Sequence, residues 1–338
     1  MRELREAHRG VPVFGCSTAG EILGTQVRDG SLAVSAIRLD ATRVRLARSP
    51  IQNPAESLDV GRRLAAALPA AGLAHVLVLT DGLRVNGTEL ANGLAAGLPG
   101  GVSVTGGLSG DADRFQETLV VTGERPETGA VAAVGLYGER LQVGYGSLGG
   151  WDPFGPERTI TRSAGNVLYE LDGRSALALY KDYLGDHAAG LPATGLLFPL
   201  SLRRGGEAGD PGVVRTILGV NEAEQSLTFA GDVPEGSFAR LMKANFDRLI
   251  DGAVGAADHS LASLAGARAS LGLLISCVGR KMVLKQRVEE EVEGVRDVVG
   301  PDAALIGFYS YGEISPFTPS ARCELHNQTM TITLLSEA

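Results

Sequence analysis

The sequence predicts an α/β protein of two domains, each a mixed β-sheet flanked by helices and able to stack sheet on sheet. Three observations predict it. Short apolar runs alternate with stretches of helical spacing, the outline of βαβ units. Many of the 46 glycines among 338 residues, about twice the usual share of ~7%, stand directly after those runs, at strand ends where open α/β sheets place their sites. The pattern Gly-x-x-(Ser/Thr)-x-Gly-Glu-Ile occurs twice, as "GCSTAGEI" at 15–22 and "GFYSYGEI" at 307–314, as expected of two related halves.

The elements follow in order. "VPVFGCSTAGEI" is a short apolar run ending in the first motif, and "SLAVSAIRL" (31–39) and "TRVRLARS" alternate as half-buried strands do. Residues 55–71 carry Leu58, Leu64, Ala65 and Leu68 at helical spacing after Asn53-Pro54. "HVLVLTDG" reads as a buried strand, 88–98 as a helix, and "GVSVTGGLSGD" as a strand running into glycines. "QETLVVTG", "GAVAAVGLYG" and "LQVGYGSLGGW" leave no room for helices between them and suggest an antiparallel meander.

Helical pattern returns at 164–176 and in "SALALYKDYLG", which sets the domain boundary near Arg174, with domains at 1–175 and 176–338. "LLFPLSL", "VVRTILGV" and "SLTFAGD" read as strands. Residues 236–254 read as a long helix with Phe238, Leu241, Met242, Phe246, Leu249 and Ile250 on one face, followed by a second, short one. The strand "ASLGLLISCVGR", a charged helix over 281–299, the strand "AALIGFYSYGEI" and a last strand "QTMTITLL" complete the chain. Each motif is thus followed by a turn and an alternating strand, 31–37 in one case and 328–335 in the other. The first half lacks the opening strand and helix of the second; either it has lost them or its start is set too late at Met1.

Composition excludes several classes. With 31 Lys and Arg against 39 Asp and Glu, and no basic stripe, nucleic acid is not the expected partner. Cys16, Cys277 and Cys323 cannot all pair within one chain and show no CxxC spacing, so reduced thiols and a cytoplasmic location are expected, with no metal and no cofactor. The uncharged stretch 90–110 holds seven glycines and Pro99, which argues against a membrane span. HExxH, GxSxG and kinase signatures are absent, so no catalytic set is assigned.

The motif allows two readings. Gly20 and Gly312 permit a sharp turn at a strand end, with Ile22 and Ile314 in the core and Glu21 and Glu313 capping backbone or facing solvent. Alternatively the turns offer backbone N–H groups to an anion, with the Thr18 and Ser310 hydroxyls and Tyr311 beside them, and Glu21 or Glu313 accept from an ammonium or hydroxyl. "TGGLSGD" (105–111) lacks the lysine of a phosphate loop; Gly106 and Gly107 read better as a pocket edge where a ligand could approach the main chain. Asn327, between His326 and Gln328, belongs to a polar cluster that could contact a ligand or satisfy the preceding loop.

"GCSTAGEI", "TGGLSGD", "FPLSL", "VRTILGVNEAEQSLTFAGDVPEGS", "SCVGRKMVL" and "IGFYSYGEISPF…ELHNQTMTITLL", in that order, resemble the FIST proteins, named for F-box and intracellular signal transduction. The resemblance covers nearly the whole chain. It implies an intracellular sensory module that binds small ligands, amino acids among them, and signals through a separate output protein. On that reading Arg280 or the glycine turns would take a carboxylate, and Glu313 or Glu21 an ammonium. Two other classes stay open: a hydrolase or acyl-transfer enzyme acting through Cys16 or Cys277, and a ligand-free scaffold docking through Glu289, Glu290 and Glu291.

Overall fold

The computed structural model describes residues 2–8, 10–122, 125–203, 212–264, 266–316 and 322–337. Its first strands are β1 (Gly15–Cys16), β2 (Glu21–Leu23), β3 (Gln26–Arg28), β4 (Arg43–Pro50), β5 (Leu73–Thr80), β6 (Ser103–Leu108), β7 (Val120–Val121), β8 (Ala130–Tyr137) and β9 (Leu141–Leu148). An inserted antiparallel sheet follows, and then β10 (Leu271–Cys277), β11 (Ala304–Ser310), β12 (Gly312–Pro316), β13 (Cys323–His326) and β14 (Met330–Glu337). Helices α1 (Ser57–Ala67) and α2 (Gly87–Gly97) belong to the first half, and α3 (Phe246–Ser263), α4 (Val278–Leu284) and α5 (Val288–Val299) to the second.

Two six-stranded sheets share one plan. The first runs β3-β2-β11-β10-β14-β9 and the second β13-β12-β6-β5-β8-β4. In each, a hairpin pairs with a strand (β11 or β6) that lies parallel to its neighbour (β10 or β5), and two antiparallel strands close the far side. The hairpins are exchanged. That of the first motif (β2-β3) completes the sheet of the second half, and that of the second motif (β12-β13) completes the sheet of the first. The sheets stack on one another, with Thr333 Oγ1 bonded to Thr105 Oγ1 at 2.8 Å across the interface, and one apolar core runs through both. A Cβ on Gly107 would stand 2.8 Å from Ile275, so sheet contact at this distance requires the bare backbone.

The sequence reading holds for β5, β6, β8, β10, β11 and β14, which are central in their sheets; all but β11, which is only partly buried, are mostly buried. Four expectations fail. The meander does not form, because β8 and β9, adjacent in sequence, belong to different sheets. Residues 164–176 are not helical: Arg158–Ala164 and Val167–Leu171 pair as an antiparallel hairpin in the inserted sheet, and only from Ala176 does a helix begin, capped by Ser175. The long helix expected over 236–254 forms only from Phe246: residues 238–243 are instead a strand with Ala239 and Leu241 buried on one face, and Asn245 caps α3 by accepting from Arg248 N. Residues 31–39 form no strand, for want of a neighbour to pair with.

The inserted nine-stranded sheet has its own core, including Leu168, Leu177, Leu227 and Phe229. It draws strands from both sides of residue 175, so the two halves interleave in space. Among the described residues no helix is long and apolar enough to cross a membrane.

Candidate functional site

The two motif turns carry one hydrogen-bond plan. Thr18 Oγ1 donates to Glu21 Oε1 at 2.5 Å, and Ser31 donates to Oε2 through N at 3.1 Å and Oγ at 2.6 Å. Ser310 Oγ donates to Glu313 Oε1 at 2.6 Å, and Thr329 donates to Oε2 through N at 3.2 Å and Oγ1 at 2.9 Å. In both, the glutamate ties the strand end to the residue that opens the next extended segment. A carboxylate accepting from two side chains and one backbone group is well suited to that task.

Their surroundings differ. Glu21 is half-buried at the surface, whereas Glu313 is fully buried and lies opposite Gly107 in the ladder. Burial pushes the Glu313 carboxyl up to about 8, against the pull of the Ser310 and Thr329 bonds and the field of Arg280. Beside it Asn327 is also fully buried, and its amide O and N find no partner among the described residues. The next residue, Gln328, reaches Leu196 O with its amide nitrogen, while its amide oxygen finds no partner among the described residues.

The remaining residues singled out in the sequence are engaged internally. Arg280 is fully buried: Nε and Nη2 hold Glu291 at 3.1 and 2.7 Å, Nη1 bonds Gly149 O and Nη2 bonds Leu249 O, both at 2.6 Å. Glu291 in turn accepts from Tyr309 OH at 2.7 Å and Ser276 Oγ at 3.2 Å. Tyr311 donates to Asp111 and to Ala112 O and stacks on Phe115 with ring centroids 4.4 Å apart. Gly106, at φ 156°, lies against Val78 O, and Gly20, at φ 140°, against the Lys281 ammonium. Lys281 bonds Ala19 O at 2.9 Å and pairs with Asp29. Three turns therefore meet in one packed centre, joined by Ala19 N to Tyr309 O (2.8 Å), Tyr311 N to Leu108 O (3.1 Å) and Gly110 N to Ser17 O (3.1 Å).

Room for a ligand lies next to this centre, at the carboxyl end of β5. A crevice of about 130 Å³ is lined by Asp81, Leu83, Arg84, Gln116, Glu117, Thr118 and Thr128. Two buried aspartates build it. Asp81 accepts from Leu83 N, Arg84 N, Thr118 Oγ1 and Gly129 N at 2.8–3.0 Å. Asp111 accepts from Phe115 N, Gln116 N and Glu117 N, each at 3.0 Å. Burial alone would raise the Asp111 carboxyl, but these N–H groups and Tyr311 OH outweigh it and hold the carboxyl below its ordinary value. The crevice therefore has a rigid floor, with the exposed Arg84 and Glu117 offering one charge of each sign at its wall. Sequence reasoning missed it; the available signal was Asp81-Gly82 closing a largely apolar buried strand.

Burial raises both the Cys16 and Cys277 thiols, and it pushes Cys323 up to about 12. His75, lowered to about 3 by burial, is held by Ser103 and Thr105, and His326, lowered to about 4 by the same cause, bonds Ser315 O. The acidic run is divided in its exposure: Glu291 is buried on Arg280, and Glu290 pairs with Arg287.

Comparison with curated proteins gives no match. Among solved structures the chain is similar to a cyanuric acid hydrolase from A. caulinodans, at 12% identity over 88% of this chain and 99% of that one, with a TM-score of 0.21, too slight a likeness to bear on chemistry. Family models match along most of the sequence, a FIST N domain over residues 1–174 and a FIST C domain over 176–316, and the chain belongs to the FIST family.

Proposed function

We propose that this protein is an intracellular sensor that binds a free amino acid in the Asp81–Thr118 crevice and passes the signal to an output partner. FIST domains are associated with signal transduction and small-ligand sensing. The amino acid reading is carried by one observation, a crevice of about 130 Å³ with Arg84 and Glu117 both on its lining. Arg84 takes the carboxylate and Glu117 the ammonium, while Thr118 and Thr128 supply hydroxyls for the remaining polar contacts. Raised thiols, and the hydrogen bonds that already hold the buried His75 and His326, favour this over a cysteine-dependent hydrolase.

A second placement of the ligand has its own support. The unpaired buried amide of Asn327, next to Glu313, is a polar group in want of a partner, and a ligand reaching it would satisfy it. A thermal-shift screen against the twenty amino acids separates the two. A ligand at 100 times its Kd adds ~2.7 kcal/mol. The crevice reading expects a shift that Arg84→Ala and Glu117→Gln abolish and Asn327→Ala leaves intact. A shift lost only in Asn327→Ala moves the ligand to the second placement, and no shift with any amino acid defeats the amino acid reading.

A further inference from the structure

Strand β4 closes one end of the second sheet and pairs with β8 along its whole length. Two other sheet ends are met by side chains: Glu289 accepts from Val27 N of β3 at 3.1 Å, and Arg215 donates to Leu325 O of β13 at 2.9 Å. The outward N–H and C=O groups of 43–49 have no such cover among the described residues.

Positive charge gathers on this edge. Residues 38–63 hold six arginines and three acids, in a chain whose 39 acids outnumber its 31 bases. The three acids are committed, Asp40 to Arg38, Glu56 to Asn53 and Asp59 to Arg62, and Arg48 pairs with Glu127. Arg43 and Arg45, both exposed, make no ion pair or side-chain hydrogen bond with any described residue. They share a face with their partners across the ladder, Tyr137 and Gly135, and with Ser49, which accepts from Arg63 Nε at 3.2 Å. Gly135 lets the Tyr137 ring lie along the strand, since a Cβ there would stand 3.0 Å from the Tyr137 hydroxyl, and this sets the hydroxyl beside the place of Arg45. The hydroxyl is buried and finds no partner among the described residues. Burial raises it, and the Arg45 and Arg43 charges oppose that rise. A buried, unpartnered hydroxyl beside two unpaired guanidinium groups is suited to an anion. On the opposite face Val44 is 39% and Leu46 37% exposed.

We propose that β4 is a docking edge for an extended acidic segment of a partner polypeptide, added as a further strand with carboxylates on Arg43 and Arg45 and apolar side chains on Val44 and Leu46. The period of a strand sets both requirements at once, because 43 and 45 point to one face and 44 and 46 to the other. A carboxylate bound at the arginines also gives the Tyr137 hydroxyl an acceptor. A second copy of β4 is excluded as the occupant, since it would bring arginines against arginines. The proposal stands apart from the crevice and its ligand.

Fluorescence anisotropy with a labelled peptide of alternating Glu and Val, and with the same peptide carrying Lys for Glu, tests this on the full chain with no amino acid added. The expected result is saturable binding of the Glu peptide alone, weakening as salt rises, with hydrogen exchange slowed at the outward amides of 43–49. The double variant Arg43→Glu, Arg45→Glu should lose the Glu peptide, bind the Lys peptide and keep its Tm, because both side chains are exposed. No binding of the Glu peptide, equal binding of the Lys peptide, or binding that survives the double charge reversal overturns the proposal. So does a single-stranded oligonucleotide that binds more tightly than the Glu peptide and is lost in the same variant, which would make the edge a phosphate site.

Discussion

Glu21 and Glu313 sit in the same sequence pattern, accept the same three kinds of bond and lead to opposite outcomes. After Glu313 the chain enters β14 at the centre of a sheet; after Glu21 it runs on as unpaired extended chain. The clamp is therefore local, written in Gly-x-x-(Ser/Thr)-x-Gly-Glu and complete without help from the rest of the fold. The strand after it is not. A strand needs a neighbour for its N–H and C=O groups, and alternation of apolar residues supplies only the wish to be covered. The same contrast explains why Glu313 titrates abnormally: its clamp was closed over by the exchanged hairpin, the last strand and Arg280.

Four experiments sharpen or break the comparison. The largest effect is expected from two adjacent residues of α4 that serve the two turns. Arg280→Ala leaves the buried Glu291 without its counter-ion, held only by the Tyr309 and Ser276 hydroxyls, and should cost ~3–5 kcal/mol, whereas Lys281→Ala removes the pair to the exposed Asp29 and the bond to Ala19 O, together worth ~1–2 kcal/mol. Urea unfolding of the two variants measures the gap, and equal losses would break the comparison. Next, Glu313→Ala orphans Ser310 and Thr329 in the interior, at ~2–4 kcal/mol, while Glu21→Ala at the surface should cost under ~1 kcal/mol.

The third effect depends on pH. The folded Glu313 carboxyl titrates near 8, above its unfolded value of 4.5, so the folded state holds the proton more tightly. Its contribution is full below pH 4.5 and is lost as pH rises toward 8, with a slope of up to ~1.4 kcal/mol per pH unit. Subtracting the stability profile of Glu313→Gln from that of the wild type should isolate this slope, and parallel profiles would show that Glu313 is ionised in the fold at neutral pH. The smallest effect is the hydroxyl donor itself. Ser310→Ala should cost ~1–2 kcal/mol and Thr18→Val a few tenths, measured as a difference in Tm.

Where the sequence spoke locally it could be read. The apolar runs of β5, β6 and β10 are bounded by turns and mostly buried on both faces, so period and punctuation agree. The turn glutamates were found by repetition. What escaped depends on distant partners. Residues 238–243 carry Phe238, Leu241 and Met242, which fit a helix as well as a strand, and pairing with distant strands, Leu200–Arg203 on one side and Arg158–Thr159 on the other, decides the matter. Nothing within the short link between β8 and β9 reveals that it crosses from one sheet to the other. The crevice has the same character. Its floor is Asp81, but its walls come from residues 116–118 and 128, brought there by the bonds of Asp111.

Hydrogen exchange with and without the amino acid that gives the largest thermal shift tests the central claim, that the ligand sits in the crevice and the buried turn is a clamp. The account predicts ligand-dependent protection of the amides of Leu83, Arg84, Gln116 and Glu117, with 327–331 unchanged. Protection confined to 327–331, with the crevice exchanging as in the free protein, would contradict it.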